Sequence, residues 1–119
     1  MPKFLFAAWP FSGHLHPAIA IAHVLKEAGH QVAFYTGATA AAKIEKEGFH
    51  FFPFKKVDEQ RVLRLVLSQG TVPSFIKNPF ALIAIYRGWL LETVPHQVED
   101  LEHIIRLWNP DVIVPDPTF

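Results

Sequence analysis

The sequence contains no cysteine, which excludes disulfides and thiolate metal sites and leaves the redox compartment open. It has no excess charge of either sign, because 11 Lys and Arg offset 11 Asp and Glu. Nothing basic is gathered into a stripe, so there is no electrostatic case for a nucleic-acid partner. Long hydrophobic runs are missing as well. The apolar run within residues 2–9 is too short for a signal peptide, and no small-residue cleavage site follows it. The most membrane-like stretch, Phe80 to Val94, is interrupted by Arg87 and Glu92. It falls short of the roughly 20 residues a span needs. It reads as a buried or interfacial helix, which leaves contact with a membrane surface open. No internal repeat, low-complexity tract or linker is visible. The expectation is a soluble, cytoplasmic protein.

What is present is one domain's worth of chain. It has 119 residues, 50% hydrophobic and 18% charged, enough to bury a core and too apolar for disorder. The 11 Phe and 3 Trp suit either an aromatic-rich core or a large apolar pocket.

Along the chain, Lys3–Trp9 (KFLFAAW) is a nearly continuous apolar run of the kind found in a strand buried on both faces. Pro10, Ser12 and Gly13 break it. Pro17 fits the first position of a helix over Ala18–Ala28, and Gly29 is placed to end that helix. Gln31–Thr36 (QVAFYT) is a second strand by composition. Thr39 is positioned to cap a helix over Ala40–Glu47 that stops at Gly48. Phe49–Phe54 is a third strand, pushed towards an edge or strand end by Pro53. Asp58 is a candidate N-cap for a helix over 58–69, with Val57 and Val62 as its hydrophobic staple.

Gly70 to Pro79 reads as a loop, and Phe80–Leu91 as a well-buried helix. Thr93 starts the next helix, whose stripe of Val98, Leu101, Ile104, Ile105 and Trp108 is amphipathic. Asn109-Pro110 stops it, and Asp111–Pro115 (DVIVP) is a fourth buried strand. Alternation of strands and helices predicts an α/β fold, a doubly wound, Rossmann-like parallel sheet with strand order 3-2-1-4.

In such a sheet ligands bind where the strand order reverses, beyond the carboxyl ends of the first and fourth strands. The loop after the first strand is PFSGHLHP, Pro10–Pro17, and Asp116 opens the loop after the fourth. Topology thus brings His14 or His16 close to Asp116 although nearly the whole chain separates them. A histidine beside a carboxylate is a ready general base, its tautomer fixed by that carboxylate.

These residues also resemble a known family. Trp9-Pro10-Phe11-Ser12-Gly13-His14-Leu15-His16-Pro17 contains a Gly-His-x-x-Pro motif after a strand. Ala28-Gly29-His30 closes the following helix, and Pro110, Asp111 and Asp116 bracket the fourth strand. The pattern is similar to the opening of the inverting UDP-glycosyltransferases that include plant secondary-metabolite, bacterial macrolide and glucuronosyl enzymes. The resemblance covers both ends of the chain. Residues 55–108 match it only in being helical and variable.

The resemblance implies a GT-B fold of two facing Rossmann-like domains, with residues 1–119 forming part of the N-terminal, acceptor-binding one. It implies that His14 removes the proton of an acceptor hydroxyl and that Asp116 orients His14. The acceptor oxygen would then displace the nucleoside diphosphate of a sugar donor with inversion, using no metal and no cofactor beyond that co-substrate. The donor-binding signature, with its His-x-Gly motif, is absent, and no Gly-x-Gly-x-x-Gly or Walker loop replaces it. The expectation is a fragment whose partners are a small hydrophobic hydroxyl-bearing acceptor, a nucleotide sugar, and a C-terminal donor-binding half or second polypeptide.

Candidates for lining the acceptor pocket are Trp9, Phe11, Ser12, His16, Phe75, Phe80, Tyr86 and Trp89. His16 has a second reading as a cap at the helix start. Two other functions stay open. His14, His16 and Asp116 have the residue types of a metal-dependent hydrolase site, although His23, His30, His50, His96 and His103 fall away from that face. The other is a non-catalytic binding subunit.

Overall fold

The computed structural model describes residues 2–67 and 79–116. Its strands are β1 (Lys3–Ala7), β2 (Gln31–Thr36), β3 (His50–Pro53) and β4 (Val112–Pro115). Its helices are α1 (Ser12–Glu27), α2 (Ala41–Lys46), α3 (Glu59–Leu67), α4 (Pro79–Tyr86) and α5 (Val94–Trp108). A 3₁₀ turn at Ala38–Ala40 leads into α2, and a π-helical turn at Arg87–Leu91 follows α4. The strands form one parallel sheet in the order β3-β2-β1-β4, as the sequence predicts. Leu5 lies opposite Ala33 and Ile113, and Phe6 opposite Phe34 and Val114.

Period-two alternation gives the two central strands two buried faces. Phe6, Val32 and Phe34 pack with Leu15, Ile19 and Ala22 of α1. Leu5, Ala7, Ala33 and Tyr35 pack with Ile104 of α5. Each large side chain so buried contributes about 1.5–3 kcal/mol. β1 stops two residues before the apolar run does. Trp9, fully buried, belongs instead to a third cluster with Val57 and Val62.

Several boundaries differ from the sequence reading. α1 starts at Ser12, so Pro17 lies inside it rather than at its first position. Extended Phe11 is the N-cap, and its carbonyl accepts the N–H groups of His14 and Leu15. Pro17 lacks the N–H that would meet the Gly13 carbonyl, and both residues are exposed, so water can serve that carbonyl. Thr39 caps nothing; its hydroxyl and N–H donate to Glu59 of α3. Gly29 and Gly48 end their helices at positive φ. Asp58 does cap α3, accepting the Arg61 N–H at 3.1 Å, while Val57 and Val62 are buried beside it.

The loop expected over 70–79 lies outside the described residues apart from Pro79, the first residue of α4. α4 is not well buried. Phe80 is 76% exposed, and Ile83 and Tyr86 are also exposed. β4 is likewise not a buried strand, since the sheet order puts it at an edge and Val112 and Ile113 are exposed. Among the described residues no helix is long and apolar enough to cross a membrane.

α5 buries only part of the expected stripe: Ile104 is buried and Leu101 and Trp108 pack against the same cluster, but Val98 and Ile105 are exposed while Gln97 and Asp100 are buried. Asp100, 5% exposed, sets this rotation. Its carboxylate accepts the Tyr35 hydroxyl at 2.5 Å and the backbone N–H groups of Lys55, Lys56 and Val57 at 3.1, 2.9 and 3.4 Å. Buried donors without acceptors are costly, so these four outweigh two apolar side chains left in water.

Burial, and then the hydrogen bond and charge of Asp100, raise the Tyr35 phenol well above its ordinary range. The folded chain therefore keeps this proton at pH values where the unfolded chain loses it. Stability attached to Tyr35 is complete below about pH 10 and falls as pH rises past it. Tyr35→Phe is expected to cost about 1 kcal/mol at neutral pH and to flatten this alkaline decline. Urea denaturation at neutral pH and above pH ~10 checks it. Equally steep alkaline losses in both proteins would remove Tyr35 as the cause.

Candidate active site

His14 is the third residue of α1, and Asp116 directly follows β4. The Asp116 N–H donates to the Ala7 carbonyl at 2.7 Å, extending the β1–β4 ladder by one rung. That rung holds Asp116 against the end of β1, beneath the first turn of α1. The side chains meet there, with His14 Nδ1 hydrogen-bonded to Asp116 Oδ2. The carboxylate is 3% exposed and the imidazole 26%. An ionised carboxylate only accepts, so Nδ1 carries the proton and donates it, and Nε2 keeps a lone pair. The partly open ring can offer that lone pair to a hydroxyl.

Aromatic residues stand beside the ring. The Phe11 and Trp89 ring centres lie 5.9 and 6.5 Å from His14, and Trp89 abuts Phe11 at 5.8 Å and Trp9 at 5.7 Å. Tyr86 stacks on Trp89 at 6.3 Å. Trp89 sits in the π-helical turn, where Gly88 lets the Leu65 side chain approach. Its indole N–H is buried and has no acceptor among the described residues.

His14 also lines an apolar cleft of about 390 Å³. Gly13, Pro17 and Ile21 line it from α1, and Val114, Pro115 and Asp116 from the β4 side. Gly13, Pro17 and Ile21 are not among the pocket-lining residues expected from the sequence. Their signal is the four-residue spacing of 13, 17 and 21, visible only once the helix is known to begin before Pro17.

The remaining candidates divide. Phe11, Tyr86 and Trp89 gather near His14, as just described. Ser12 is exposed at the start of α1 and is not among the described residues lining the cleft. Phe80 projects towards solvent, and Phe75 lies outside the described residues. Trp9 is core.

His16 neither caps the helix nor joins His14. Positions two apart on a helix point to nearly opposite sides, and His16 Nε2 accepts from Lys43 Nζ of α2. The proposed His14–His16–Asp116 ligand set therefore does not converge. Among the described residues no three His, Asp or Glu side chains are grouped to hold a metal.

Comparison with known proteins agrees with this architecture. Residues 11–99 match the model of the glycosyltransferase family 28 N-terminal domain. The chain is 25% identical over 119 residues to 4'-demethylrebeccamycin synthase of Lentzea aerocolonigenes, covering 98% of this chain and 28% of that protein. In structure it is similar to the glycosyltransferase SnogD from Streptomyces nogalater, with TM-score 0.66 and 23% identity over 98% of this chain and 28% of that one. It is similar also to the Streptomyces sp. SF2575 glycosyltransferase SsfS6 complexed with thymidine diphosphate, with TM-score 0.68 and 19% identity over 95% and 32%. The chain thus spans about a third or less of the length of these relatives. The fold is that of the N-terminal part of GT-B natural-product glycosyltransferases, and the chain belongs to the glycosyltransferase family 28 N-terminal domain family.

Proposed function

We propose that this chain is the acceptor-binding half of an inverting glycosyltransferase, with His14 as general base. The observation that carries the reading is the hydrogen bond from His14 Nδ1 to the buried Asp116 carboxylate at the rim of an apolar cleft. The acceptor hydroxyl lies against Nε2. Its oxygen forms a bond to the anomeric carbon as the bond from that carbon to the diphosphate oxygen breaks. The hydroxyl proton passes to Nε2, the nucleoside diphosphate leaves, and Asp116 stabilises the imidazolium produced. The apolar cleft and the Phe11, Tyr86 and Trp89 rings suit a small hydrophobic acceptor that carries a hydroxyl.

The donor is a nucleotide sugar, a class supported by the thymidine diphosphate bound to one fold relative. Neither lysine nor arginine is among the described residues lining the cleft. A diphosphate there would meet Asp116 with no cation among those described lining residues to offset its charge. We therefore assign its binding to a donor-binding half, in the same polypeptide or a second one, and transfer requires both halves. The hydrolase alternative is not retained, because His16 faces Lys43.

Asp116→Asn tests the assignment. An amide in place of the carboxylate no longer enforces the Nδ1–H tautomer, so turnover is expected to fall by about 10²-fold or more with the fold intact. The measurement is kcat for sugar transfer with the donor-binding half present. A variant with wild-type kcat would remove Asp116 from the mechanism.

A further inference from the structure

The described glycines can be sorted by what each does for the chain itself. Gly29 and Gly48 stand at positive φ, where a side chain is strained. At Gly37 an added Cβ would fall 1.8 Å from the Glu59 carboxylate and 2.9 Å from Pro10. At Gly88 it would fall 2.8 Å from Leu65. Gly13 has neither reason. It lies in the first turn of α1 without positive φ, and an added Cβ would meet nothing within 4 Å. A glycine inside a helix lowers its stability relative to alanine. Gly13 thus weakens α1 and relieves no crowding within the described chain.

What Gly13 borders is the cleft, beside His14. We infer that the space over Gly13 belongs to the acceptor: the bare backbone lets the ring or chain bearing the attacking hydroxyl lie close against α1 while the hydroxyl reaches His14 Nε2. The occupant is an apolar alcohol or phenol, because apart from His14 and Asp116 the described cleft residues are Pro17, Ile21, Val114 and their apolar neighbours. Gly13 is then a specificity-determining residue, setting how bulky an acceptor can be at the carbons next to the reacting oxygen. The inference rests on reading His14 as the base for an acceptor hydroxyl.

The test separates fold from site by using binding rather than turnover. The 119-residue chain, its Gly13→Ala form and its Gly13→Leu form are melted and then titrated with 2-naphthol, with backbone amide NMR shifts as the readout. Gly13→Ala should raise Tm by about 2–4 °C, because alanine is the better helix former. It should weaken 2-naphthol binding about fivefold or more, and Gly13→Leu should weaken it further, since each added carbon occupies ligand space. The wild-type shifts should centre on the amides of Gly13, His14, Ala18, Val114 and Asp116.

A lowered Tm in Gly13→Ala would mean that the glycine serves the fold, and would overturn the inference. So would unchanged binding in both variants, or no wild-type binding at roughly millimolar naphthol. His14→Ala should still bind 2-naphthol, because shape and not the base holds the ring. Full turnover by a His14→Ala enzyme would therefore sink the base assignment, whereas unchanged naphthol affinity in the Gly13 variants sinks only this inference.

Discussion

Replacing His14 by alanine is expected to lower kcat for sugar transfer by about 10² to 10⁴-fold, the usual cost of losing a positioned general base. That loss corresponds to about 3–5 kcal/mol of transition-state stabilisation. An acceptor hydroxyl is a poor nucleophile until its proton begins to leave, and among the described residues around the cleft only His14 couples a basic nitrogen to a buried carboxylate. The effect should fall on kcat more than on acceptor KM, because the cleft and aromatic wall are left in place. The fold should survive, since the ring is partly exposed at the start of α1. Initial rates with a nucleotide sugar and a phenol, with the donor-binding half supplied, make the measurement. Turnover within tenfold of wild type would assign the proton transfer to another group.

Asp100→Ala is expected to destabilise the chain by about 3–5 kcal/mol, the largest loss of stability anticipated for a single substitution here. The substitution leaves the Tyr35 hydroxyl and three backbone N–H groups without their buried acceptor. It also releases residues 55–57, and with them Val57, which packs under Trp9. Trp9 abuts Trp89, which faces His14, so the aromatic side of the site should loosen as well. Urea denaturation gives the number. A loss below about 1 kcal/mol would mean that water replaces the carboxylate and that the node is not structural.

Asp100 also illustrates what was hard to read in the sequence. A carboxylate between apolar helix positions looks like part of a solvated face, and only the loop it satisfies, 43 to 45 positions away in the chain, shows otherwise. β2 was legible from end to end, Gln31 to Thr36, because β-branched and aromatic residues lie between a glycine turn and a second glycine. The sheet order followed from the alternation of elements, and with it the approach of the loops after β1 and β4. That was enough to pair a histidine with Asp116.

Choosing between His14 and His16 from physics alone required the start of α1, which Pro17 obscured by fitting a first helical position so well. The exposed faces of α4 and β4 were unreadable for a different reason. Composition reports that a segment is apolar, whereas exposure depends on what stands beside it.

His14 and Asp116 are separated by 102 positions in the chain, and they meet only because β4 pairs with β1 on the side opposite β2. A ribosome therefore delivers His14 well before Asp116. While the segment between them is being made, β1, β2 and β3 can already pair, yet the imidazole has no carboxylate to fix its tautomer. The contact between His14 and Asp116 therefore comes into being in the same event that pairs β4 with β1.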